Sequence, residues 1–211
     1  MRHILTILAC ALLAFPAAAQ TDSAAKSILD KAVAAIKAYP AVEVTFDLSM
    51  INEAENIKET HAGKAYMKGQ MYRVDVMDTE NYFDGEFIYT YMPDAGEVNI
   101  KLPEDEEEEM LNPTILFDLH NQKFDQRLVE EKEGKAYIEL TPKTEHHQIA
   151  KIGVLVNTKT NQVEEVTSFG KDGNNVVISI KSLKKPDKEL SDDFFRFDTA
   201  AHPDVEVVDL R

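Results

Sequence analysis

The chain has 211 residues, 44% of them hydrophobic and 29% charged, with 23 Lys and Arg against 38 Asp and Glu and a formal net charge of −15. Such acidity opposes docking on nucleic acid or on anionic lipid head groups. A single cysteine, Cys10, leaves no pair for a disulfide.

In chain order, the first segment is Met1-Arg2-His3, an apolar run from Ile4 to Phe15, and Pro16-Ala17-Ala18-Ala19-Gln20. A positive end, an apolar centre and an Ala-x-Ala end predict a secretory signal peptide over 1–19, cleaved near Ala19. The run is too short to span a bilayer. Ala11-Leu12-Leu13-Ala14 carries the apolar centre past Cys10, which favours cleavage over lipid attachment at that cysteine. Removing residues 1–19 leaves 192, with 22 basic against 38 acidic side chains, a charge of −16 and no cysteine. That length predicts a single domain over 20–211 with a proper core.

Asp22 or Ser23 can cap a helix running to about Ala38, with Ile28, Leu29, Ala32, Val33 and Ile36 on one face. Tyr39-Pro40 ends it. Val42 to Ile51 alternates cleanly: Val42, Val44, Phe46, Leu48 and Met50 point one way, and Glu43, Thr45, Asp47 and Ser49 the other. A second strand is expected from about Ile57 to Met67. The stretch from Gly63 to Ile100 then reads as successive antiparallel strands, with turns at Asp84-Gly85 and Pro93-Asp94-Ala95-Gly96. Glu104-Asp105-Glu106-Glu107-Glu108-Glu109 reads as a solvated loop, because like charges in a row repel and lack the spaced ligands of a calcium loop. Asn112 caps a short helix with Pro113 at its first position and Ile115, Leu116 and Leu119 as its apolar face. Strands resume from Phe124. Roughly ten or eleven of them, without a parallel crossover, point to a mainly β fold, a strongly curved sheet or barrel.

Nothing in this pattern assembles a catalytic site. There is no nucleophile elbow and no glycine-rich phosphate loop. His146-His147 are adjacent and would face opposite ways on a strand, while His61, His120 and His202 stand apart. Carboxylates abound, but spacing singles out no pair. The expectation is a protein that is not an enzyme and needs no metal or cofactor. Three alternating rows remain: Phe46, Leu48 and Met50; Tyr72, Val74 and Val76; Phe87, Tyr89 and Tyr91. They suit either the filled core of a small barrel or the wall of a hollow.

Gly63, Tyr72-Arg73, Phe83-Asp84-Gly85, Tyr91, Pro93 and Gly96-Glu97-Val98, in that order and spacing, resemble the central signature of the LolA family, and the likeness runs on to Val205-Glu206-Val207-Val208-Asp209. The resemblance implies an incomplete, half-open β-barrel covered by the N-terminal helix and the short internal helix. It implies a cavity lined by the three rows, with Ile28, Leu29, Val33, Ile36, Ile115, Leu116 and Leu119 as lid residues. It also implies a monomeric periplasmic carrier of lipoprotein acyl chains, loaded by an inner-membrane releasing complex and unloaded by an outer-membrane acceptor. Family members fasten the lid with a strand arginine in Lys-Arg-Pro. Here Lys68-Gly69-Gln70 stands in that place, leaving Lys68 and Arg73 as stand-ins, and Val74 stands where Trp is frequent. Two other classes stay open: a lipid- or lipoprotein-sensing regulatory module of the same fold, and an envelope hydrolase.

Overall fold

The structure is a computed structural model and describes residues 22–103, 123–143 and 148–211. The leader over 1–19, the acidic run Glu104 to Glu109, the helix carrying Ile115, Leu116 and Leu119, His120 and His146-His147 lie outside the described residues.

The helix α1 spans Ser23–Lys37. Twelve strands follow: β1 Val42–Asn52, β2 Ile57–Lys68, β3 Met71–Val76, β4 Thr79–Phe83, β5 Ile88–Met92, β6 Glu97–Lys101, β7 Phe124–Lys132, β8 Lys135–Pro142, β9 Ile149–Asn157, β10 Gln162–Gly170, β11 Asn175–Lys184 and β12 Glu206–Asp209. They form one curved sheet that is not closed, in the order β12-β6-β5-β4-β3-β2-β1-β11-β10-β9-β8-β7. The topology is two meanders joined at the centre. β1 to β6 run outward one way, and β7 to β11 run inward from the far edge until β11 pairs antiparallel with β1. Two differences from the expected pattern stand out. Twelve strands form among the described residues, not ten or eleven, and β12 returns to pair with β6 in parallel.

The extra strand is β4. The hairpin joining it to β3 turns on Met77 and Asp78, both in the left-handed region at φ 55 and 54. Two-residue turns of that shape usually carry Asn, Asp or Gly, so Met77 hides a reversal that Asp78 alone marks weakly. Conventional turn chemistry marks the neighbouring hairpins, with Gly69, Gly85 and Gly96 at positive φ.

Register assigns the faces. Val44, Phe46 and Leu48 of β1 sit opposite Ala65, Gly63 and His61 of β2. They sit opposite Leu183, Ile180 and Ile178 of β11 on the other side. The same face carries Tyr72 and Val74 of β3, Ile138 and Leu140 of β8, Ile152 and Val154 of β9, and Val166 of β10. Together with α1 they make one continuous buried cluster. We call this the inner face. The opposite, outer face is ionic over much of its area, but over β4 to β6 it carries a separate aromatic cluster.

Candidate functional site

α1 is amphipathic, and Ala25, Leu29, Ala32, Val33 and Ile36 are buried against the inner face, with Ile28 packed beside them. Of the expected lid residues, then, the four on α1 do lie on the sheet, over β7, β9 and β10. Asp22 caps the helix and is more than a cap. Its Oδ1 accepts from the Ala24 N–H at 2.8 Å, its Oδ2 accepts from the Leu128 N–H at 3.3 Å, and its own N–H donates to the Gln126 carbonyl at 2.9 Å. The first turn is thereby clipped to β7. Otherwise apolar side chains hold the helix, and its surface pair Lys26 to Asp30 lies within the helix itself.

The nine expected wall residues divide between the two faces. Phe46, Leu48, Met50, Tyr72, Val74 and Val76 share the inner face. Phe87, Tyr89 and Tyr91 do not. Phe83 pairs with Ile88 and so puts Ile88 inward, whereas Tyr89 lies opposite Tyr82 and Ile100, and Tyr91 opposite Val98, all on the outer face. The period of two was correct and the side was not. The C-terminal segment covers the outer face here, with Phe197 at 4.8 Å from the Tyr91 ring, and Val205 packs in the same cluster. β5 is therefore apolar on both sides, a pattern that cannot say which side faces which layer.

Gly63 makes room on the inner face. The far edge of the Phe46 ring lies against it across the β1/β2 pair, and a Cβ there would clash with Phe46 Cζ and Cε2. Several inner-face residues escaped sequence reasoning, above all Ile138, Leu140, Ile152, Val154 and Val166 on the second meander. The signal was available: Ala136, Ile138 and Leu140 alternate with Tyr137 and Glu139. Polar side chains that reach this face include His61, Ser168 and Gln126. Gln126 is 3% exposed, and among the described residues its side-chain oxygen has no hydrogen-bond partner.

Neither Lys68 nor Arg73 reaches α1. Lys68 donates to the Leu190 carbonyl and pairs with Asp192, both at 2.8 Å. Arg73 is outward-facing. It pairs with Asp75 at 2.9 Å and Glu80 at 3.1 Å and lies between the Tyr82 and Phe194 rings, 4.9 and 5.3 Å from their centroids. Both cations fasten the C-terminal segment, not the lid. Burial first, then a hydrogen bond to Glu80, pushes the Tyr82 hydroxyl far above its usual range, so it remains a donor. On the second meander Glu139 is held below the usual carboxylate range, first by the hydrogen bond from Lys151 and next by that from Arg127.

Chemically, an apolar trough under an apolar helix offers solvation to hydrocarbon. Among the described residues no helix is long and apolar enough to cross a membrane.

Comparison with known proteins bears on the whole arrangement. The family model described as outer membrane lipoprotein carrier protein LolA matches residues 82–198. No curated protein matches the chain. Among solved structures, an uncharacterized conserved protein from Thermus thermophilus is 13% identical, with 89% of this chain and 99% of that one covered at a TM-score of 0.55, a likeness of fold. A LolA superfamily protein from Nitrosomonas europaea is 14% identical, with 82% and 97% covered at 0.47. The MucA/MucB complex of Pseudomonas aeruginosa contains a chain 13% identical, with 88% and 64% covered at 0.41.

Proposed function

The chain belongs to the LolA family, and from that premise we propose that it is an exported, periplasmic carrier. It takes up the acyl chains of a lipoprotein, or of another lipid-linked cargo, on its inner face and carries them between membranes without covalent chemistry. The observation that carries this reading is the clipped, otherwise apolar seat of α1 on a broad apolar trough. In this reading the curved sheet acts as a half-open barrel and α1 is its movable cover. Phe46, Leu48, Met50, Tyr72, Val74 and Val76 would touch cargo. An inner-membrane releasing complex and an outer-membrane acceptor would be its partners, and it would work as a monomer.

Magnitudes favour a cover that competes with cargo. Each buried methylene is worth about 0.8 kcal/mol, so one chain of roughly sixteen carbons offers about 12 kcal/mol. Exposing Leu29, Val33 and Ile36 costs about 1.5 to 3 kcal/mol each, once. The difference is about 5 kcal/mol for a single chain, an affinity between millimolar and micromolar. That is weak enough to hand cargo on and strong enough, with more than one chain, to hold it.

The test is direct. Purified from cells, the mature protein should carry lipid visible by native mass spectrometry, and delipidated protein should bind an N-acylated peptide but not its unacylated form. Equal binding of both peptides would end the proposal.

A further inference from the structure

We infer that Gln126 is the polar contact that the inner face keeps for cargo. Its side-chain oxygen takes a hydrogen bond from a donor, an amide N–H or a hydroxyl, next to the first carbons of a bound acyl chain. This rests on the carrier reading and names a chemical feature of what is carried.

Gln126 sits on β7 opposite Leu140, in a row with Phe124 and Leu128, on the face that α1 covers. Its backbone carbonyl is used by the Asp22 N–H, and its side-chain oxygen is buried without a partner. No group on α1 bonds it. The buried side chains of the helix are Ala25, Leu29, Ala32, Val33 and Ile36, which have no donor, and its backbone N–H groups past the first turn are taken within the helix. A buried acceptor left unpaired is unfavourable, because the water it gave up is not replaced. Two other buried polar groups differ in this respect, since Asn52 bonds Asn174 and Glu43 pairs with Lys64, whereas His61 Nε2 shares the lack of a hydrogen-bond partner but lies 3.8 Å from the Glu59 carboxylate.

Position supports the role. β7 is an edge strand of the sheet, and five strand steps separate it from β1. At about 4.8 Å per step that is roughly 24 Å of mainly apolar face, with Gln126 at its β7 rim and His61 on β2 beyond its other end. An amphiphile lying across the strands would leave its polar end at the rim beside Gln126 and run its tail toward Phe46. The unpaired oxygen then acts twice in the same sense. It weakens the covered, empty state and strengthens the loaded one.

The experiment compares two ligands of equal chain length on the mature protein by displacement of a fluorescent acyl probe: dodecanamide, which has donors, and methyl dodecanoate, which has none. Wild type should prefer the amide by about fivefold to tenfold. Gln126→Leu should erase that preference and raise the melting temperature by about 3–6 °C. Gln126→Met, longer and equally without an amide, should do the same and replaces the leucine variant if that one fails to fold. Equal affinity of wild type for both ligands, or a preference surviving in the variants, overturns the inference while leaving the carrier reading intact. Failure of both ligands to displace the probe overturns the carrier reading and this inference with it.

Discussion

The two faces of the sheet are both covered, and they are covered differently. α1 lies on the inner face through aliphatic contact and one clip at Asp22. The C-terminal segment lies on the outer face through Lys68 to Asp192, Arg73 stacked under Phe194, the fully buried Phe195, the Phe197 cluster and the backbone pairing of β12 with β6. Directional bonds and aromatic packing fix a segment in one place, whereas smooth apolar contact lets a guest of the same chemistry take it over. Similar burial on two faces therefore need not mean similar permanence. On the proposed function, one cover is part of the fold and the other is an occupant.

Breaking the outer cover should cost stability first. Phe197→Ala removes a side chain packed on Tyr82 and Tyr91 and should lose about 3–4 kcal/mol in urea unfolding, with acyl binding by the folded fraction unchanged. Next in size, Gly63→Val sets a branched side chain where the Phe46 ring lies and should lose about 2–3 kcal/mol. Combining it with Phe46→Leu should recover part of that loss in a double-mutant cycle. On the inner cover, Asp22→Ala removes the cap and the clip. It should lose only about 1 kcal/mol globally, while proteolysis within residues 23–37 quickens and acyl ligand associates faster. Equal loosening of both covers in that variant would break the contrast.

The smallest effect concerns pH and the second meander. Glu139 has its pKa lowered, chiefly by Lys151, so its contribution is complete above its unfolded value and fades as pH falls through the folded one. Glu139→Gln should therefore lower the melting temperature at pH 7, with the gap to wild type narrowing as pH drops below about 4.3. A gap that widened in acid would reverse the assignment.

Much of this was legible in the sequence, and the parts that were not share a cause. β1 announced itself because Val42 to Met50 alternate against Glu43 to Ser49, and α1 because its apolar residues repeat at helical spacing. Alternation reports that a face is covered and is silent on what covers it. Tyr89 and Tyr91 therefore read as inner-face residues from alternation alone, although their cover is Phe197 on the outer face, more than a hundred residues away. The β3/β4 reversal carries Met77 beside Asp78 with no glycine, so local chemistry marks it only weakly. Lys68 and Arg73 were legible as cations near the expected lid, but their partners Asp192 and Phe194 come from a segment whose path only the fold reveals. Gln126 was hidden for a similar reason. A glutamine between Asp125 and Arg127 reads as solvent-facing until register places it opposite Leu140.

The central claim is that α1 is a replaceable occupant of the inner face, and hydrogen exchange followed by mass spectrometry tests it most directly. With saturating N-acylated peptide, amides of residues 23–37 should exchange at least tenfold faster than in the empty protein, while those of 192–208 keep their protection. Protection of α1 unchanged or increased by a bound acyl chain would contradict the account.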